Sequence, residues 1–218
     1  MLRKETRISR RGRKPPEASL NLRRKPLQSR SEETIAVILE ASTQILETRG
    51  LAAFNTNAIA ERAGVSIGSL YQYFPGKEAI LAALHKHFEE QLMLAVNNSL
   101  TQSLGQTLQL RLRSLVGALI DAHTRSPNLH RILELEEDRI LHNSTSSLDT
   151  TMRKSVAHML LDAGLRFPGI SIQAAAEDLC VIARALIDTA LTRSTGGITA
   201  SRQRRIVNAL ERYAGLSA

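Results

Sequence analysis

Apolar residues recur three and four positions apart along most of this chain, the spacing that lines one face of an α-helix. Ile35, Ile38, Leu39, Ile45 and Leu46 predict a first helix over about Ser31–Arg49, stopped by Gly50. Pro75-Gly76 breaks the chain, and Ile80, Leu81, Leu84, Phe88 and Leu92 predict a long helix from Lys77 to about Leu100, ~36 Å long. Further stripes follow: Leu108 to Ile120, broken by Ser126-Pro127; Leu129 to Ile140, ending near the polar Asn143–Ser147 loop; and Met152 to Leu160, closed by Gly164 and Pro168-Gly169. Leu179 to Leu191, ended by Gly196-Gly197, and Ile206 to Tyr213 complete the pattern. No segment alternates as a strand does and no repeat is present, so the expected fold class is all-α.

Two short helices joined by a glycine turn are predicted between Gly50 and Pro75. Asn55 can cap the first, with Phe54 and Ile59 at hydrophobic-staple spacing, and Gly64 supplies a left-handed stop. Ser66 can cap the second, with Val65 and Leu70 as its staple. That helix opens Ser66-Ile67-Gly68-Ser69, small enough to let its backbone approach a groove floor, and Tyr71, Gln72 and Tyr73 follow with groups that reach phosphates or base edges. The unit reads as a helix-turn-helix.

The run from about Ser31 to Leu84 resembles the DNA-binding head of TetR-type (TetR/AcrR-like) regulators. The matching pieces are Ala60 to Ser66, Gly68 to Phe74 and Lys77 to Leu81, within a run that is about a quarter of the chain. Asn55 stands where that family usually has threonine and Gly76 where it often has a small polar residue; both are tolerable caps. The resemblance implies a three-helix head (31–84) and a helical effector-binding and dimerisation domain (85–218). It implies a homodimeric one-component repressor, released from a double-stranded operator by a small molecule. The candidate DNA contacts are Asn55, Thr56, Ser66, Ile67, Gly68, Ser69, Tyr71, Gln72, Tyr73 and Lys77. Tyr73 and Lys77 are the phosphate contacts, because the family pattern has a Tyr or His and a Lys there, and Lys77 opens a helix whose N–H groups favour an anion.

Gly64-Val65-Ser66-Ile67-Gly68 also matches the Gly-x-Ser-x-Gly elbow of serine hydrolases. That elbow needs a preceding strand, whereas Ile59–Ala63 is helical in pattern. No catalytic constellation is left, and the chain reads as a non-enzyme.

Charge changes the picture at one end. Residues 1–30 hold eleven Lys and Arg against Glu5 and Glu17, which is +9; the remainder carries −1, giving the total of +8. A basic arm over 1–30, with no aromatics, is expected to stay unfolded alone and to neutralise phosphates. Arg11-Gly12-Arg13-Lys14-Pro15 is similar to the Arg-Gly-Arg core of AT-hook peptides, though Lys14 interrupts the match and a generic basic tail fits better. The arm keeps a second function open, a low-specificity architectural or nucleoid-type DNA binder. One cysteine, Cys180, excludes an internal disulfide. The absence of any membrane-length apolar run or signal-peptide pattern gives an expected cytoplasmic location.

Leu112, Leu115, Leu119, Met152, Val156 and Met159 are expected to meet behind the head as a plastic, largely apolar effector pocket. His123, Arg125 or a carboxylate from Glu134–Asp138 would orient the ligand. Leu179, Ile182, Leu186, Ile187, Ala190, Ile206 and Leu210 are the expected dimer face. No cofactor and no metal site is expected: His85 and His87 point to opposite sides of one helix, Pro127 separates His123 from His130, and His142 and His158 lack partners.

Overall fold

The computed structural model describes residues 29–136, 147–192 and 198–216, and no strand occurs among them. Helix α1 is Ser29–Arg49, followed by a 3-10 turn at Leu51–Ala53, α2 at Thr56–Ala63 and α3 at Ile67–Tyr73. The long α4 spans Lys77–Gln102, with α5 at Leu108–Thr124 and α6 at Pro127–Leu135. Three more helices follow among the described residues, α7 at Ser147–Asp162, α8 at Ile172–Thr192 and α9 at Ala200–Tyr213. The basic arm up to residue 28, Glu137, Asp138, Ile140, His142 and the Gly196-Gly197 stop lie outside the described residues.

Local chemistry sets the element ends. Thr107 and Thr199 cap α5 and α9 by accepting from the N–H of Leu110 and of Arg202. Pro127 occupies the first turn of α6, where its missing N–H has no helical partner to lose, so Ser126-Pro127 both ends one helix and starts the next.

Two apolar cores result. The head core joins Ile38, Ile45 and Leu46 of α1, Phe54, Ile59 and Ala60, Leu70 and Phe74, and Ala79 to Leu84 at the start of α4. The body core joins Leu92 and Val96 of α4 with α5, α7, α8 and α9. Helix α4 runs through both, and Phe88 packs against each. Helix α6 departs from the division expected at residue 84, because its Leu129, Ile132 and Leu133 belong to the head core. It is also tied to α1 by hydrogen bonds: Asn128 Nδ2 donates to the Glu47 carbonyl at 2.9 Å, and the Leu129 N–H donates to Glu47 Oε1 at 2.7 Å. Ser126 makes no side-chain cap, so a carboxylate from α1 does that work for α6. Between α8 and α9, Arg202 Nη1 donates to the Ala190 carbonyl and the Tyr213 hydroxyl donates to Asp178.

Candidate functional site

The helix-turn-helix is built by its caps. Asn55 Oδ1 accepts from the Ala58 N–H at 3.0 Å, and Ser66 Oγ accepts from the Ser69 N–H at 3.0 Å. Between them Gly64 takes φ 66°, a left-handed conformation that costs a side-chain-bearing residue energy, and Val65 N–H closes the turn onto the Ala60 carbonyl at 3.0 Å. Leu70 and Phe74 anchor α3 in the head core with no exposure. Arg62 Nε donates to Gln44 Oε1 at 2.8 Å, pinning α2 to α1. The opposite face of α3 is therefore presented rigidly to solvent.

On that face Asn55, Ser66, Ile67, Gly68, Tyr71, Gln72 and Lys77 are exposed, with Thr56, Ser69 and Tyr73 half-buried beside them. Tyr71 holds its hydroxyl 3.2 Å from Thr56 Oγ1, bridging α3 to α2. Tyr73 packs its ring on the head core and donates to Ser31 Oγ at 3.4 Å. Lys77 opens α4, where Gly76 makes no side-chain cap and Glu78 places a carboxylate in the first turn. Gly68 is informative for what it lacks: a Cβ there would meet only Ser66 Oγ at 3.8 Å. Nothing among the described residues requires glycine there, although it costs a helix about 1 kcal/mol relative to alanine.

The body holds a partly open cavity of about 230 Å³. Leu112, Leu115, Leu119 and His123 of α5 line it with Met152 and Val156 of α7, while Met159 is fully buried in the core instead. Sequence periodicity put Phe88 and Leu92 of α4 on an apolar helix face without assigning them to a pocket, and they wall the cavity together with Cys180 and Ala183 from α8. Leu179, Ile187 and Leu210 also face this cavity, and Ala190 and Ile206 are buried in the same core. Of the residues expected at a dimer face, Leu186 is exposed and Ile182 half-buried.

One end of the cavity is polar. His123 and His130 are buried with ring centroids 4.3 Å apart, and Phe88 packs against both. The Pro127 break that separates them in sequence is what turns α6 back and brings them together. Glu134 and Asp188 approach His130 Nε2 at 3.7 and 3.9 Å. Burial, reinforced by the neighbouring His130, lowers the His123 pKa to about 4, so its ring is neutral near pH 7. Burial likewise raises the Glu134 carboxyl and pushes the Cys180 thiol up to about 11. Arg125 is exposed and is not among the residues lining the cavity.

The family model for bacterial regulatory proteins of the tetR family matches residues 38–84, the head and its junction with α4. The nucleoid occlusion factor SlmA of Vibrio campbellii is 30% identical over 140 residues, covering 60% of this chain and 70% of that protein. SlmA of Vibrio atlanticus is 31% identical over the same lengths. The fatty acid degradation regulator FadR of Bacillus halodurans superposes with TM-score 0.62 at 17% identity, over 85% of this chain and 96% of its own. A TetR-family transcriptional regulator from Streptomyces coelicolor superposes with TM-score 0.59 at 21% identity, over 84% and 98%.

Proposed function

The chain belongs to the TetR family of DNA-binding transcriptional regulators, and from that premise we propose that it is a homodimeric repressor released from its operator by a largely apolar small molecule. The observation that carries this reading is a rigid, exposed α2–α3 face joined through α4 and α6 to a body that holds a partly open, largely apolar cavity. Asn55, Thr56, Ser66–Ser69, Tyr71 and Gln72 would meet the major groove, with Tyr73 and Lys77 on flanking phosphates. Among the described residues no helix is long and apolar enough to cross a membrane.

The cavity wall of Leu112, Leu115, Leu119, Met152 and Val156 would hold the effector, with His123 at its polar end. Helix α6 supplies the route to the head. One side of it faces the cavity through His130, Leu133 and Glu134, and its N-terminus is held by Glu47 of α1. A ligand that binds better when α6 shifts would change the spacing of the paired heads, and only such a difference in affinity can move the equilibrium. The dimer would form through α8 and α9. Leu179, Ile187, Ala190, Ile206 and Leu210 stabilise those helices from within, and the 36% exposed Leu186 lies on the outer face. The test is a small-molecule screen by thermal shift, with each hit then assayed for release of bound operator. Hits that stabilise the protein and leave DNA affinity unchanged would remove the switch while leaving the DNA reading intact.

A second reading, a low-specificity nucleoid-type binder, is favoured by the +9 charge of residues 1–30 and by relatives that are nucleoid occlusion factors. A steep salt dependence with little discrimination between DNA sequences would support it over the repressor.

A further inference from the structure

We propose that the polar end of the cavity binds a divalent transition cation of the zinc and cobalt class, held by His123, His130 and Asp188 with Glu134 beside them. A ring nitrogen of each histidine and a carboxylate oxygen of Asp188 all lie within 4.8 Å of one another. They come from three different helices, α5, α6 and α8. His130 Nε2 stands 3.7 Å from Glu134 Oε2 and 3.9 Å from Asp188 Oδ1. Two ligands at ~2.1 Å on one tetrahedral ion stand about 3.4 Å apart, so the two His130 pairs need to close by about half an ångström and the most distant pair of the set by about 1.4 Å at most.

The donors have the chemistry of ligands. His130 is 6% exposed and its Nε2 has no hydrogen-bond partner, an arrangement that buried polar atoms seldom keep without something to bind. The Leu119 carbonyl can only accept, so His123 Nδ1 donates to it at 2.6 Å, and the lone pair is left on Nε2. That tautomer, fixed by a backbone carbonyl, is the form in which histidine ligates metals. Phe88 stacks on His130 and meets His123 edge-on, so both rings are held in place. Asp188 and Glu134 bring two carboxyl groups to the set, with Arg184 Nε 3.8 Å from Asp188 Oδ2 and its charge felt by Glu134 as well. Two imidazoles in the set favour zinc, cobalt or nickel over calcium and magnesium, which prefer oxygen.

The same helix that carries His130 and Glu134 is capped by Glu47 of α1, so drawing α6 toward α5 and α8 pulls on the head. This consequence rests on the regulatory reading above; the cation site does not. The test uses the full chain stripped of metal with a chelator and titrated with Co²⁺, then with Zn²⁺. The site predicts one Co²⁺ per chain with visible absorption bands of nitrogen and oxygen ligation, displacement by Zn²⁺, and a higher Tm. His130→Gln and Asp188→Asn should each weaken Co²⁺ binding by at least about tenfold with the helical circular dichroism retained. Should His130→Gln misfold, Asp188→Asn decides, since that side chain is a quarter exposed. Absent bands, or a Co²⁺ affinity unchanged in the folded variants, overturns the proposal. Stabilisation by an organic ammonium compound without cobalt bands overturns it too, in favour of a cationic organic ligand. Cobalt binding that leaves operator affinity unchanged keeps the site and strikes only the coupling to DNA.

Discussion

The head and the body are built from the same kind of helix, yet they are packed to different standards. Of the twelve largest side chains with almost no exposure, ten are in the head core, including Phe54, Phe74, Ile59, Leu70 and Leu133. Only Met159 and Leu160 belong to the body, where the helices close around a cavity instead. A DNA reader must hold its α3 tip in one geometry, which a close-packed core supplies. A sensor needs space and a surface that adjusts. On the proposed reading the difference between the cores is a division of labour, and α4 and α6 are where the two halves meet.

The largest expected effect breaks the tightly packed half. Phe74→Ala should cost about 3–5 kcal/mol and abolish DNA binding, because the cavity it opens lies under the recognition helix. Met152→Ala, at the half-buried cavity wall, should cost about 1 kcal/mol and leave DNA binding intact. Urea denaturation of both variants measures the contrast, and equal costs would mean that the two cores do not differ as described.

Cutting the link between the halves comes next. Glu47→Ala removes the carboxylate that caps α6 while leaving the cavity and the α3 face untouched. Stability should fall by about 1 kcal/mol, the usual size of a lost cap. An effector should then still bind while its influence on operator affinity weakens several-fold. Paired titrations of ligand and DNA would show this, and undiminished coupling would mean that the route runs through α4 alone.

Smaller effects sharpen the DNA face. Lys77→Ala should reduce the slope of log affinity against log salt by about one, uniformly across sequences and with unchanged melting. Tyr73→Phe should weaken binding less, since the ring stays packed and only a hydroxyl shared with Ser31 is lost. An unchanged salt slope in Lys77→Ala would take that residue off the phosphates. The mildest expectation concerns Cys180, whose thiol burial pushes up to about 11. Alkylation at pH 8 should run far slower than for a free thiol, because so little thiolate is present, and should slow further when the cavity is filled.

The head was legible from sequence because its information is local. Asn55, Gly64 and Ser66 specify caps and a turn over a dozen residues, and each adopts the conformation its chemistry favours. The all-α class followed from periodicity for the same reason. The body was less legible because its features are set by which faces meet. Periodicity marks Leu179, Ile187 and Leu210 as buried without saying whether a cavity or a partner covers them, and they line the cavity. The pairing of His123 with His130 required the direction in which α6 leaves Pro127, which no spacing rule supplies. Membership of α6 in the head core was hidden likewise, since Leu129, Ile132 and Leu133 form an ordinary apolar stripe.

The central claim, that a rigid head reads sequence while the body sets the spacing of two such heads, is tested most directly by selecting bound fragments from a random DNA pool and sequencing them. The account predicts one enriched inverted repeat, with half-sites separated by about one helical turn (~10 bp) or a multiple of it. It also predicts that a protein lacking residues 1–25 enriches the same core more weakly and with a flatter salt dependence. Recovery of fragments with no shared motif, or of a motif that vanishes with the basic arm, would contradict it.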